Sequence, residues 1–539
     1  MQESAATPLM HTMAVPLIEG LQHPHAYPHP SGPVRLVETH ISWVLLAGDF
    51  AYKVKKPVDF GFVDFSSLER RRRFCEEELR LNRRLAPQLY LGVAPIAGPA
   101  AAPRIDGDGE PIEYAVRMRR FRRADEFAAL AARGELEPAH VETLAALVAD
   151  FHSAADRDPP DSGWGSPEQV LAHWIGNFEV LARTGMAAAE RVRLEALEGW
   201  MRAQHERLAP LIASRRAEGF VRECHGDLHL GNVVLIEGHP VPFDALEFDP
   251  GLRWTDVVAE VAFTMMDLER LGHPGLARRF LDAWLERSGD FAGLALLPAM
   301  LAYRALVRAK VAALRATQSA PGTGQDEALA EMRADVALAE RLASPRPRAI
   351  AITMGVSGSG KSRLALALAE SGDWVRIRSD VERKRLAGLA AADRAGAPPG
   401  AGLYAPGRTG QVYERLASLA GTVADAGFPA LVDATFLRRS QRDALRSLAA
   451  EHGTGFGILV ADAPVALLRE RVQARARAGS DPSDATLEVL EAQRKTFEPL
   501  GADEEACAIR VDTSTPADAA ALGQALLSRC SHSTTPPSR

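Results

Sequence analysis

Cysteine is scarce in this 539-residue chain: four residues, Cys75, Cys224, Cys507 and Cys530, with no C-x-x-C pair among them. That spacing argues against a disulfide frame or a cysteine zinc site and for free thiols in a reducing compartment, the cytoplasm. A long apolar run is missing too. The most apolar stretch, around Phe291 to Leu314, is broken by Arg304, Arg308 and Lys310, and the first residues lack a basic segment followed by an apolar core. Neither membrane spanning nor secretion is expected. An excess of positive charge is absent as well, the formal net charge being -7. General electrostatic capture of nucleic acid is therefore not expected, and any polymer partner has to be met by a local groove.

Apolar material is plentiful, with 47% hydrophobic against 25% charged residues. A chain of this length is too long for one ordinary domain, so two are expected, one of them bilobal. Residues 1–34 read as an extended leader, because the prolines of Gln22-His23-Pro24-His25-Ala26-Tyr27-Pro28-His29-Pro30 disfavour regular helix. Its three histidines are a weak metal candidate, since no Asp, Glu or Cys stands among them. Ile41 to Val54 reads as two strands about a turn at Ala47-Gly48-Asp49, and Lys53 falls near the end of the second. Leu68 to Leu85 reads as a charged helix, with Arg72 and Arg73 four residues before Glu76 and Glu77. Residues 138–342 are mostly helical in pattern, apart from a strand-and-loop region between Phe220 and Arg253. Ser344-Pro345-Arg346-Pro347-Arg348 marks a linker; strands and helices then alternate over residues 349–527, and residues 528–539 read as a disordered tail.

Two signatures of phosphoryl transfer stand far apart. The first, His225-Gly226-Asp227-Leu228-His229-Leu230-Gly231-Asn232, has the H-x-D-x-x-x-x-N spacing of kinase catalytic loops. Asp227 supplies a carboxylate for the acceptor hydroxyl. Asn232 and Asp244, the latter at the end of the next short strand, supply magnesium ligands. With Phe243-Asp244 and Trp254-Thr255-Asp256, this region resembles the aminoglycoside phosphotransferase and choline kinase branch of the kinase-like fold over most of residues 35–343. The resemblance implies that Lys53 contacts the ATP phosphates and that Glu78, or alternatively Glu77, pairs with it. His225 and Asp256 would brace the loop. No G-x-G-x-x-G loop precedes Lys53, which leaves the phosphate lid undefined. Glu247, Asp249, Asp267 and Glu269 could line an acidic pocket for a polycation, but acids on helices are more often solvated, and no antibiotic acceptor is inferred.

The second signature is the Walker A pattern Gly355-Val356-Ser357-Gly358-Ser359-Gly360-Lys361-Ser362. Backbone amides of Ser357 to Lys361 are expected around the β-phosphate, with Lys361 on the transferred group and Ser362 on magnesium. Trp374 to Ile377 reads as a strand leading to Asp380, a candidate base whose alternative role is a helix cap, with Arg383 one turn later to hold a substrate anion. Ala430-Leu431-Val432-Asp433 has the form of a Walker B strand, so Asp433 orders magnesium or its water. Arg469, Arg471, Arg475 and Arg477 are candidates to clamp the phosphates, two of the four expected to face solvent. Asp481-Pro482-Ser483-Asp484 reads as a helix cap, and the segment Ala387 to Gly402 as an insert.

As a set, these segments resemble the P-loop kinases that include polynucleotide 5'-hydroxyl kinases, with gluconate kinases and zeta toxins as more distant relatives. That resemblance makes Asp380 the base, Arg383 a substrate-phosphate ligand, Asp433 a substrate- or metal-organising acid and Arg471 the lid arginine. The fused arrangement resembles bacterial bifunctional proteins that join an aminoglycoside phosphotransferase-like domain to an AAA-type, kinase-like ATP-binding domain. The fold class so implied is an α+β bilobal protein-kinase-like domain followed by an α/β P-loop NTPase domain with a parallel sheet. The expected activity is ATP- and magnesium-dependent transfer to a small-molecule hydroxyl upstream and to a nucleic-acid 5'-hydroxyl or small molecule downstream, with no membrane and no obligate protein partner. Two alternatives stand beside it: an upstream domain that regulates the downstream kinase, or a downstream ATPase without an acceptor.

Overall fold

The computed structural model describes residues 15–61, 63–184, 186–318, 322–390, 393, 406–478 and 486–532. The cap proposed at Asp481 to Asp484, most of the insert after Ala387 and the last seven residues lie outside them. The chain divides into two compact units that interleave in sequence, the first of Met1–Thr143, Ala154–Ala172 and Ala209–Asp267, the second of Leu144–Ser153, His173–Leu208 and Leu268–Arg539. The segment at 344–348 lies inside the second unit. Its arginines are held there: Arg348 Nε donates to the Ala424 carbonyl at 2.8 Å, and the Arg346 guanidinium stands 5.0 Å from the Phe428 ring centre.

The first unit carries an antiparallel sheet in the order β1-β2-β3-β6-β4-β5, made of Arg35–Glu38, Ser42–Ala47, Phe50–Lys55, Tyr90–Ala97, Arg104–Ile105 and Pro111–Arg119. The helix Leu68–Asn82 (α1) packs on it, capped by Ser67, whose side chain accepts from the Arg70 amide. The leader is not extended. Residues 15–21 are helical and Pro24–Ala26 form a 3-10 turn, a place where proline at the first position costs no hydrogen bond. Leu17, Ile18, Leu21 and Tyr27 are buried against Leu45, Tyr52 and Val54, so apolar spacing outweighs the prolines downstream of it. His29 is committed to the Pro30 carbonyl and the Tyr52 hydroxyl, and the three leader histidines form no metal cluster among the described residues. Further along, β7 (Val221–Glu223) pairs with β10 (Trp254–Asp256), and β8 (Val233–Ile236) with β9 (His239–Pro242), framing the catalytic-loop sequence. The helix Val257–Arg270 (α2) follows β10.

In the second unit the helices Pro274–Ser288 (α3), Leu297–Gln318 (α4) and Thr323–Ala343 (α5) lead to a five-stranded parallel sheet in the order β12-β13-β11-β14-β15. Its strands are Ala349–Met354 (β11), Val375–Arg378 (β12), Ala430–Asp433 (β13), Gly455–Asp462 (β14) and Ala508–Asp512 (β15). β11 and β13 are buried at every position, the mark of strands covered by helices on both faces. Those helices are Lys361–Ser371 (α6), Ser379–Leu386 (α7), Pro406–Asp425 (α8), Arg439–Glu451 (α9), Val465–Ala478 (α10), Leu487–Lys495 (α11) and Ala519–His532 (α12). α12 runs past residue 527 because Leu526 and Cys530 are buried under the sheet, so the described chain stays ordered through the first residues read as tail. The fold class is thus an α+β protein-kinase-like part followed by an α/β P-loop part with a parallel sheet. Among the described residues no helix is long and apolar enough to cross a membrane.

Candidate functional site

Side chains alternate along β3, so Lys53 and Lys55 share one face, and both are buried. α1 delivers Glu78 between them: Lys53 Nζ lies 2.9 Å from one carboxylate oxygen and Lys55 Nζ 2.8 Å from the other. Glu78 is therefore the partner of Lys53, whereas Glu77 pairs with Arg80 and Arg253. Asp244 closes on Lys53 at 2.5 Å, and Glu247 pairs with Lys55. Burial alone would lower the lysine pKa values, but the surrounding carboxylates win and raise both. Enclosure likewise opposes the Asp244 charge, yet the Lys53 ammonium holds its carboxyl below the usual range. Asp244 has φ of 62°, a left-handed conformation, while its amide donates to the Tyr90 hydroxyl at 3.0 Å. Such backbone is kept where surrounding contacts over-determine it.

The loop between β7 and β8 brings Asp227 and Asn232 together. Asn232 Nδ2 donates to the Asp227 carboxylate at 3.1 Å and to its carbonyl at 3.0 Å, and His229 Nε2 lies 3.6 Å from the same carboxylate. His225 fixes the loop by donating from Nε2 to the Phe243 carbonyl while Nδ1 accepts from the Asp227 amide; burial lowers its pKa, in keeping with a neutral ring. Three further anchors escaped sequence reasoning. Glu260 accepts from the Gly226 amide, Thr264 donates to the Leu228 carbonyl and Asp267 accepts from the Leu230 amide, at 2.8, 2.9 and 2.9 Å. Their spacing of four and three residues along α2 places them on one helix face, a signal present in the chain.

One expectation changes here. Among the described residues Asp256 makes no hydrogen bond to the loop; it forms a two-pronged ion pair with Arg215 and accepts from the Val258 amide, so it caps α2. Three of the four acids weighed for a polycation pocket are engaged within the protein, Glu247 on Lys55, Asp249 on the Gly251 amide and Asp267 on the Leu230 amide, while Glu269 is half-buried with its pKa raised by that burial.

Downstream, β11 runs into the phosphate loop and α6 starts at Lys361. Gly358 and Gly360 have φ of 82° and 86°, and a Cβ would stand 2.6 Å from the Leu468 carbonyl at the first and 2.9 Å from the Thr513 hydroxyl at the second. Only glycine fits both the conformation and the space. Thr513, just beyond β15, donates to the Ser359 carbonyl at 2.6 Å and receives Arg471 at 2.9 Å. Gln493 of α11 accepts from the Ser357 amide at 2.7 Å. A cleft of about 560 Å³ is lined by Gly358, Lys361, Ser362, Arg471, Arg475 and Thr513, among others. Arg471 and Arg475 thus reach it, whereas Arg469 pairs outward with Glu491 and Arg477 is exposed.

The carboxyl ends of β12 and β13 bring the acids beside this loop, since Arg378 and Asp433 are register partners and the Gly355 amide donates to the Thr435 carbonyl after β13. Asp433 is buried, with Thr353 Oγ1 3.4 Å and Arg378 Nε 3.9 Å away. Asp380 occupies the second position of α7; no side-chain cap bond starts that helix, so the capping alternative is not realised. Arg383 follows one turn on. Both act on the buried Tyr413: burial raises its phenol, Thr435 lowers it, and the Arg383 and Asp380 charges pull in opposite directions. Tyr413 and Thr435 carried no sequence signal.

These residues suit a nucleotide and its metal. The loop's open helix start, its glycine cradle and the Ser359 hydroxyl, buried and without a hydrogen-bond partner among the described residues, accommodate phosphate oxygens, and Ser362 with Asp433 offers oxygen donors for a hard cation. The lysine–glutamate pair upstream and the phosphate loop downstream are the apparatus of an ATP-dependent kinase.

Residues 350–500 match the family model for an AAA domain. A choline/ethanolamine kinase family protein from Mesorhizobium loti is similar over 62% of this chain and 99% of its own, at 12% identity and a TM-score of 0.38. A sugar kinase from Janibacter sp. HTCC2649 is similar over 35% of this chain and 94% of its own, at 24% identity and a TM-score of 0.26. The uncharacterized protein Rv2004c of Mycobacterium tuberculosis (strain ATCC 25618 / H37Rv) is 31% identical over 488 residues, 90% of this chain and 94% of the relative. On that identity over nearly all of both chains, the protein belongs to the family of Rv2004c.

Proposed function

We propose that this ATP-dependent kinase transfers the γ-phosphate to hydroxyl acceptors at two separate magnesium-dependent centres, a small molecule upstream and a nucleic-acid 5'-hydroxyl or small molecule downstream. The observation that carries the reading is downstream: the phosphate loop, Asp433 and Asp380 leave neighbouring strands β11, β13 and β12 at one sheet edge. Asp380 takes the acceptor proton, Arg383 holds an acceptor anion, and Lys361 with the loop amides and Arg471 holds the phosphates. Ser362 and Asp433 would hold magnesium, which would supply charge neutralisation at the phosphates. Upstream, Asp227 orients the acceptor, Lys53 fixed by Glu78 holds the phosphates, and Asn232 and Asp244 are the metal ligands. In both centres positioning and charge neutralisation do most of the catalysis. Four buried free thiols suit a cytoplasmic enzyme, and the reading requires neither a membrane nor an obligate protein partner.

Incubation with γ-labelled ATP and a panel of 5'-hydroxyl oligonucleotides, sugars and aminoglycosides tests this, comparing wild type with Lys361→Ala and Asp227→Ala. Label lost selectively in one variant assigns that acceptor to its centre. ATP consumption with no labelled product would replace the reading by an ATPase. A regulatory role for the upstream centre draws support from the direct Lys53–Asp244 pair, which occupies both the phosphate cation and the metal acid. It predicts that Asp244→Ala changes downstream turnover while no acceptor is ever labelled upstream.

A further inference from the structure

The strand–helix unit that presents Asp380 is tied to a helix that the sequence assigns to the kinase-like part. Within the second unit, Glu286 of α3 accepts from Arg376 Nη2 at 2.7 Å and from Arg378 Nη1 at 3.2 and 3.3 Å, and its backbone carbonyl accepts from Arg385 Nη2 at 2.6 Å. Asp282, one turn earlier, takes Arg376 in a two-pronged pair at 3.0 and 2.5 Å. Three arginines of β12 and α7 therefore converge on one residue of α3. Arg376 is buried, so these pairs are shielded from solvent.

Arg378 faces two carboxylates. It is within hydrogen-bond distance of Glu286 and held 3.9 Å from Asp433. Asp433 is 3% exposed, and its donors among the described residues are that guanidinium and the Thr353 hydroxyl at 3.4 Å. A buried carboxylate without a close donor is costly unless a cation completes it. Resting on the downstream reading above, we infer that Glu286 is a positioning residue of the phosphate-loop centre: by competing for the Arg378 guanidinium it keeps Asp433 open to magnesium. Asp282 has a separate task, because its two-pronged pair shares the Arg376 charge, so that Glu286 does not answer Arg376 alone and still holds Arg378. Without the Glu286 charge, Arg378 closes on Asp433 as a full ion pair, and the metal must displace it.

The test reads binding, not turnover. The magnesium concentration that half-saturates binding of a fluorescent, non-hydrolysable ATP analogue is measured on the full chain, taking as downstream the signal that Lys361→Ala removes. Glu286→Gln is expected to raise that concentration about tenfold, the scale of losing a residue that orients a metal ligand, with analogue affinity at saturating magnesium nearly unchanged. Glu286→Asp should restore most of the loss. In an Arg378→Gln background, Glu286→Gln should have no further effect. An unchanged magnesium requirement in Glu286→Gln, or the same rise with Arg378 already removed, would overturn the inference while leaving the downstream centre intact. Should Glu286→Gln fail to fold, Arg378→Gln alone decides: it is expected to lower the requirement several-fold, and an unchanged or raised value overturns the inference. A wild type indistinguishable from Lys361→Ala defeats the downstream reading itself, and the inference with it.

Discussion

The two candidate centres are built in opposite ways. Upstream, Lys53 and Lys55 are buried and answered at once by Glu78, Asp244 and Glu247, so both cations are already neutralised from within. Downstream, the site is made of backbone amides and glycine conformation beside an open cleft, with arginines at its rim. A nucleotide entering the first must break an existing ion pair, whereas one entering the second meets amides already curved for it. The difference separates a site whose chemistry is bound up with folding from one whose chemistry is bound up with loop geometry.

The largest effect that bears on this contrast is catalytic. Asp380→Asn and Asp227→Asn should each lower transfer at its own centre by roughly 10² to 10⁴, with nucleotide retained, as for loss of a general base. Single-turnover transfer of labelled phosphate checks it, and an unchanged rate in either variant removes that carboxylate from its role. The second effect is on stability and should be one-sided. Glu78→Ala takes one of two carboxylate partners from each of two buried lysines, leaving Asp244 and Glu247, and should cost about 3 kcal/mol, the low end of the scale for breaking a buried pair from one side. Arg471→Ala, at the cleft rim, removes donors to Thr513 and to the Gly358 carbonyl and should cost less, about 1.5 kcal/mol, the low end of the scale for hydrogen bonds from a charged group. Equal losses on urea unfolding would erase the distinction between the two sites.

Much of each site was legible in local sequence, because a phosphate loop and a kinase catalytic loop are contiguous and their spacing is set by the ligand. Asp227 with Asn232, and Lys53 with Glu78, come together as the motifs imply. What stayed hidden is long-range pairing between ordinary-looking residues. Lys55 stands two residues from Lys53, and the period of a strand could have placed it on the same face, but nothing in the motif marks Glu247 as its partner. Glu260, Thr264 and Asp267 repeat on one helix face yet serve a loop far earlier in the chain. Asp256 looked like a loop brace because the motif places it near; its actual partner, Arg215, lies 41 residues away. The leader differs for another reason: its prolines disfavour helix locally, while the apolar spacing of Leu17, Ile18 and Leu21 just before them buries those residues against the sheet and decides its conformation.

A third prediction sharpens the contrast through pH. Glu113 of β6 is buried beside Arg71 at 2.8 Å, and burial outweighs the guanidinium, pushing its carboxyl up to about 6 from an ordinary 4.5. Since the folded state holds this proton more tightly than the unfolded state, the group's contribution to stability falls as pH rises from about 4.5 to about 6 and is flat above. The shift corresponds to about 2 kcal/mol. Glu113→Gln should remove that slope, read as the difference between variant and wild-type urea midpoints at the two ends of the window. A constant difference across the window would show that the carboxyl titrates normally.

The smallest effect belongs to the phosphate loop. Gln493 reaches the Ser357 amide at 2.7 Å from α11, a neutral side chain on a loop otherwise shaped by its own glycines. Because φ at Gly358 and Gly360 and the Thr513 contact already set the loop's curve, loss of this one bond should leave most of the preorganisation in place. Gln493→Ala is therefore expected to weaken nucleotide binding by no more than about tenfold, the worth of one neutral hydrogen bond of 0.5–1.5 kcal/mol. Thr513→Val removes two contacts at once, the donor to the Ser359 carbonyl and the acceptor for Arg471, and should cost more. Titration of a fluorescent nucleotide onto both variants orders them. If Gln493→Ala proves the worse of the two, the loop is held from outside, by α11, and the view of a phosphate site built into the backbone gives way.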